Sequence, residues 1–232
     1  VGSYMVAGVT QSYLMYFFTD ILIIPSAFVM MLMIVARVWD ALNDPMMGVT
    51  VDRTSTKYGK MRPYVLVGSF LMFVTTIVLF MPLTGAPTMF KMIFAAVSYI
   101  IFGMAYTLTD VPAMGLMSVA TPNSDERASL LSFYVTLGSV GSLLPVGLLT
   151  IFRSFIPEKY VYFAMSIFVG IITSAAYLTL FKNSKERFST HTEKIAVRDM
   201  IKASCKNKPM MMALLMSVSY THLRAHETSL HL

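Results

Sequence analysis

Charged side chains are scarce in this sequence: 13% of its 232 residues are Asp, Glu, Lys or Arg, about half the share usual in soluble domains. That excludes the solvated surface of an ordinary globular protein. There is a single cysteine, Cys205, so no intrachain disulfide can form and a disulfide-stapled secreted fold is excluded. We read Cys205 as an inert cytosolic thiol. The apolar runs contain no G-x-S-x-G, H-E-x-x-H or Gly-x-Gly-Asp, which removes the nucleophile or metal set of an intramembrane enzyme. No enzyme activity and no cofactor are expected. His226-Glu227-Thr228-Ser229-Leu230-His231 imitates a zinc-protease motif, but its histidines are five apart and do not share a helix face.

Apolar residues fill the chain instead, at 56% of the total with 21 Met. A membrane helix needs about 20 largely apolar residues, and six stretches qualify, near 2–19, 26–51, 64–83, 89–118, 129–155 and 160–181. They lack the alternation of transmembrane strands. The expected fold is all-α and membrane-integral, with six helices in residues 1–181. The net charge of +6 does not point to nucleic acid, because the charges fall between the apolar runs. Arg53, Lys57, Lys60 and Arg62 follow the second run, Arg127 follows the fourth, and eight Lys or Arg lie in 182–208. The opposite loops are assigned only Lys91, Arg153 and Lys159. The positive-inside rule puts the first set and the N-terminus in the cytoplasm, in a plasma membrane that we take to be a bacterial inner membrane.

Both ends read as interrupted. The chain opens within its first span without an initiating Met, so the N-terminus reads as truncated. Residues 182–208 read as a basic cytoplasmic loop, and a seventh apolar run over 209–217 breaks off after about 12 Å, too short to span. From Val218 the segment containing Ser219-Tyr220-Thr221-His222-Leu223-Arg224-Ala225-His226-Glu227-Thr228 reads as an artefactual cloning or assembly scar.

One cluster carries chemistry. Arg37-Val38-Trp39-Asp40-Ala41-Leu42-Asn43-Asp44-Pro45 places three charges and an amide at the end of an uncharged run from Ile21 to Ala36. An ionisable group at mid-bilayer costs about 2.5–3.5 kcal/mol on insertion scales, so such groups pair, face a wet cavity or bind an ion. At helical spacing Arg37, Asp40, Asn43 and Asp44 form one stripe. The fourth run adds Thr107 and Asp110, which also share a face. Carboxylate, amide and hydroxyl oxygens suit a hard monovalent cation, and protons compete for the same acids. Three acids against one base leave surplus negative charge that calls for a cation. Arg37 either pairs with Asp40 or serves elsewhere, and Trp39 reads as packing.

Arg37-x-Trp39-Asp40-Ala41-x-Asn43-Asp44-Pro45-x-Met47-Gly48, then Asp52-Arg53-Thr54 and Tyr58-Gly59-Lys60-x-Arg62-Pro63, resemble the signature of the glycoside-pentoside-hexuronide:cation symporters. These are melibiose-permease-like members of the major facilitator superfamily. Tyr13 to Asp20 and Gly103-Met104-x-Tyr106-Thr107-x-x-Asp110-x-Pro112 extend the resemblance over roughly residues 2–216. It implies the N-terminal half of a two-half transporter, a six-helix bundle of 3+3 inverted repeats plus the start of helix 7. It further implies a site for sodium, lithium or a proton at Asp40, Asn43, Asp44, Thr107 and Asp110. The sugar contacts it suggests are Asp110, with Tyr106 and Gln11 as polar candidates beside it. Gate or ion-pair roles fall to Arg37, Asp52, Arg53 and Arg127. The implied partners are a small sugar, the cation, the bilayer and a second half, without which the chain is not expected to transport. Tyr4 stands where melibiose-type members have an acid, Met114 where they have a Trp and Val135 where they have an Arg, so galactoside specificity is not carried over. Alternatives on the same fold are a carrier of an amphipathic substrate such as a lysolipid, or a cation channel or sensor.

Overall fold

The computed structural model describes residues 2–184 and Met212. The chain divides into two compact units, Val1–Thr190 and His191–Leu232. Apart from Met212, the second lies outside the described residues, as do the seventh helix start, the tail from Val218 and all but the first residues of the basic loop.

Six helices make up the first unit: α1 (Gly2–Tyr16), α2 (Ser26–Arg53), α3 (Arg62–Leu79), α4 (Thr88–Ser118), α5 (Ser124–Phe155) and α6 (Glu158–Asn183). No β-strand occurs among the described residues. Five of them, α2 to α6, are long and apolar enough to cross a membrane. The first expected span is met differently: α1 has 15 residues and runs on through a π-helical turn at Phe17–Ile21.

Local chemistry sets the ends. Pro25, Pro87 and Pro157 each hold extended backbone immediately before α2, α4 and α6, where a ring-locked φ and a missing N–H stop any earlier helical turn. Asn123 accepts the N–H of Asp125 at 2.9 Å to cap α5, and Asp125 with Glu126 complements the helix dipole there. Helix α5 thus starts five residues earlier than its apolar run, and Glu126 and Arg127 belong to its first turn, not to a loop. Similarly α2 continues through Pro45 to Arg53, so Asp52 and Arg53 end a helix. Pro112 and Pro145 lie inside α4 and α5 in the same way.

Packing follows a pseudo-repeat. Helix α2 lies on α4, α1 on α5, α3 on α6, α3 on α4 and α1 on α6. Exchanging the first three helices for the last three maps these contacts onto one another, the pattern of 3+3 repeats, whereas the α5–α6 contact has no α2–α3 counterpart. Small residues bring the backbones close. A Cβ on Gly8 would collide with the carbonyl of Ser142, and one on Gly68 with the hydroxyl of Thr109. Phe17, Phe18, Leu22, Phe80, Tyr162 and Met165 form the core toward one end, and Val65, Ala113, Leu116 and Tyr177 a smaller one toward the other. The outer faces carry exposed Met31, Phe133, Leu143 and Phe155, as a lipid-facing bundle should.

Lys91 departs from its expected loop position. It lies in the first turn of α4 with 6% of its surface exposed, and its Nζ donates to the carbonyl of Leu22 at 2.9 Å. Beside this contact the chain turns through Ile23, a β-branched residue held at φ 57°, where non-glycine residues are strained. The ammonium answers a carbonyl that the helix end leaves over.

Gly68→Val should destabilise the bundle by about 1–3 kcal/mol through overpacking against Thr109. Gly147→Ala, inside α5 where nothing lies within 4 Å, should stabilise it by about 0.5–1 kcal/mol. Melting temperatures of both variants in detergent check this.

Candidate functional site

Helix α2 reaches α4 through its acids. Asp44 accepts a hydrogen bond at 2.8 Å from the hydroxyl of Thr107, which is buried. One turn back, Asp40 faces Gly103, where a Cβ would come within 3.2 Å of its Oδ1. A glycine in α4 therefore makes room for the carboxylate. Arg37 approaches Asp40 only to 4.0 Å, with 71% of its side chain exposed. At that separation and exposure the pair contributes little, so Arg37 does not form the buried ion pair that was one reading of the sequence.

These groups line a cavity of about 670 Å³ between α1, α2 and α4. Asp40, Asp44, Thr107 and Asp110 all border it, together with Arg37, Gln11 and Tyr106. Trp39, read as packing, borders it too, with 37% of its surface exposed. Four of the five expected cation ligands and all three expected sugar contacts therefore meet in one space.

Asn43 is the exception. It does not border the cavity, and its Nδ2 is buried without a hydrogen-bond partner. The reason is angular. At about 100° per residue, Asp44 and Arg37 lie some 40° and 60° to one side of Asp40 and Asn43 some 60° to the other. The four residues share a broad face, and its edge turns away. Nor do the acids converge as the single cage expected: among the described residues no three Asp, Glu, His or Cys side chains group closely enough to hold a metal ion. Asp40 and Asp44 lie on the α2–α4 contact, whereas Asp110 is drawn to α5, where the hydroxyl of Tyr134 donates to its Oδ1 at 3.2 Å.

Tyr134 was missed in the sequence. It is a neutral residue in an apolar run, and its only signal is its place one turn before Gly138. Tyr4, noted there only as a replacement, lies against it edge to face, with ring centroids 5.4 Å apart at 76°. The gate candidates are not assembled among the described residues: Asp52 and Arg53 are exposed at the end of α2, Arg127 starts α5, and none of the three makes a salt bridge there.

A family model described as MFS/sugar transport protein matches residues 1–226. Over 216 residues the chain is 31% identical to YjmB, a symporter of Bacillus subtilis (strain 168), covering 90% of this chain and 46% of that one. It is 28% identical over 220 residues to the isoprimeverose transporter of Lactiplantibacillus pentosus, covering 92% and 46%. To the glucuronide carrier protein homolog of Escherichia coli (strain K12) it is 26% identical over 206 residues, covering 86% and 44%. The chain spans about half the length of these curated relatives.

Trp39 is the one tryptophan in the sequence, so its emission reports on this cavity alone. Either sodium chloride, compared with choline chloride, or acidification should change that emission in the purified chain in detergent. Asp44→Asn should weaken the response to the effective ion roughly tenfold or more, the effect of losing one charge-assisted contact. A fluorescence titration reads both.

Proposed function

The chain belongs to the MFS/sugar transport protein family, and from that membership we propose that it forms part of a symporter coupling uptake of a glycoside, pentoside or hexuronide to sodium or proton entry. It is a transporter by family and not an enzyme. The observation that carries the reading is the shared cavity, where Asp44, bonded to Thr107 at 2.8 Å, borders the same space as Asp110, Tyr106 and Gln11.

The chemistry follows from the charges. Three carboxylates face one mostly exposed guanidinium, so the cavity holds net negative charge. A monovalent cation relieves it. Asp40, Asp44 and Thr107 offer oxygens to that cation from α2 and α4. Asn43 fits this set only if its side chain turns, since its amide is buried off the cavity. Asp110, one turn from Thr107 on α4, accepts sugar hydroxyls. Thr107 and Asp110 share a helix, so cation binding that orders Asp110 raises the affinity for sugar, and linkage then has the sugar raise the affinity for the cation by the same factor. Rocking of this bundle against a second one then exposes the site to either side in turn.

We place the protein in a bacterial inner membrane with the N-terminus in the cytoplasm, where Arg53, Lys57, Lys60 and Arg62 would follow the positive-inside rule. Asp52, Arg53 and Arg127 stand at that face as gate residues that would pair across the two bundles.

Sugar uptake by vesicles expressing the uninterrupted reading frame that contains this chain should depend on sodium or on a proton gradient. Asp40→Cys and Asp44→Cys should each abolish that dependence, with membrane levels of protein unchanged. Uptake that is indifferent to both ions, or retained in both variants, contradicts the reading.

A further inference from the structure

We propose that Lys91 is a positioning residue for the cavity: its ammonium pins the first turn of α4 to the turn between α1 and α2, holds that turn in a strained conformation, and so keeps the spacing of the helices that wall the cavity. The pin itself is independent of the transport reading above, which enters only through the ion that reports on the cavity.

The turn ends its helix in an unusual way. After the π-helical residues Phe17–Ile21, the N–H of Leu22 donates to the carbonyl of Phe17 at 3.0 Å and that of Ile24 to the carbonyl of Phe18 at 2.9 Å. The residue between them takes the left-handed conformation, where glycine is the usual choice. Here it is Ile23, at φ 57°, and a β-branched residue is strained there. Its side chain gains little packing in return, being 73% exposed, whereas Leu22 and Ile24 on either side are buried in the core with Phe17 and Phe80. Pro25 then fixes the entry to α2.

Lys91 acts on the same peptide group. A lysine near the end of a membrane helix ordinarily extends its ammonium to the water interface. This one is buried, and its Nζ donates to the carbonyl of Leu22 at 2.9 Å. That carbonyl and the N–H of Ile23 belong to one planar unit, so an ammonium that fixes the carbonyl direction also fixes the φ of Ile23. Strain and pin meet in a single peptide.

The pin bears on the cavity through α4. Thr107 ties this helix to Asp44 of α2, and Lys91 ties it to the α1–α2 turn about 24 Å along its axis. Tyr99, Phe102, Gly103 and Tyr106, which border the cavity from α4, lie between the two bonds, as do Met33 and Asp40 on α2. A wall held at both ends keeps its distance. Held at one end, it can swing.

The test is hydrogen–deuterium exchange of the product of the uninterrupted reading frame in nanodiscs, as wild type, Lys91→Met, Ile23→Gly and the double variant. Lys91→Met keeps an unbranched apolar stem and removes the donor. It should lower protection of the Leu22 and Ile24 amides roughly tenfold or more, the effect of losing a hydrogen bond from a charged group, while α3 stays within about twofold. Ile23→Gly, which adopts this φ freely, should restore most of that protection in the double variant. Alone it should raise protection about threefold above wild type, a result that can be read even if Lys91→Met does not reach the membrane. Sodium chloride against choline chloride, or acidification, should protect residues 40–44, and Lys91→Met should raise the half-saturating concentration of the effective ion about threefold or more, with Ile23→Gly reversing the rise. Loss of protection spread evenly over the bundle makes Lys91 an ordinary packing residue and overturns the proposal. No gain in Ile23→Gly, no loss at Leu22 and Ile24 in Lys91→Met, or no recovery in the double variant overturns it too. A local loss with an unchanged ion concentration reduces the pin to a cap on α1 and overturns the positioning role. If neither ion protects residues 40–44 of the wild type, the cation reading falls, and exchange of residues 99–106 without added ion decides for the pin: faster exchange in Lys91→Met that Ile23→Gly reverses supports it, and unchanged exchange overturns it.

Discussion

A carboxylate among apolar helices has to be answered by a partner, and in this bundle the hydroxyl of Thr107 answers Asp44. That bond is where α2 meets α4 with polar chemistry instead of packing alone. Gly103 opens space for Asp40 on the same contact, and both acids border the cavity between α1, α2 and α4. The concentration of acidic side chains in the cavity and their continuity with Asp110 along α4 both depend on acids held at this seam.

The bundle treats its two inverted halves alike in packing and differently in chemistry. The α2–α4 contact and the α1–α5 contact correspond under exchange of the repeats, yet only the first carries two acids. The second brings tyrosines and glycines together, with Tyr4 seated on Gly138 and Gly8 pressed against Ser142. Asp110 stands between them. Through Thr107 and Asp110 the acidic seam and the tyrosine seam share one helix, α4.

Much of this was legible in residue order, because hydrophobic run length and charge placement are local properties. The five long helices, the α2 acids and their meeting with Thr107 could be anticipated from spacing. What could not be anticipated depended on neighbours. Lys91 looks like a loop charge until the carbonyl of Leu22 is placed beside it. Asn43 looks like a ligand until its angular position at the edge of the stripe turns it from the cavity. Asp110 looks like a third member of one cage, but Tyr134 draws it to α5, and nothing in an apolar run marks a single tyrosine on the next helix, 24 residues on, as the partner of that acid. Helix α5 was placed too late because its first turn, Ser124 to Arg127, is polar and owes its helical state to the Asn123 cap.

Pro45 and Pro112 each follow an acid closely, and both lie inside unbroken helices. A proline offers no N–H to the carbonyl four residues earlier, so the carbonyls of Ala41 and Leu108 go without their usual helical donor. The stiffness of α2 and α4 is therefore lowest in the turns that display Asp44 and Asp110. A bend at either proline would change the spacing between the carboxylates of Asp44 and Asp110.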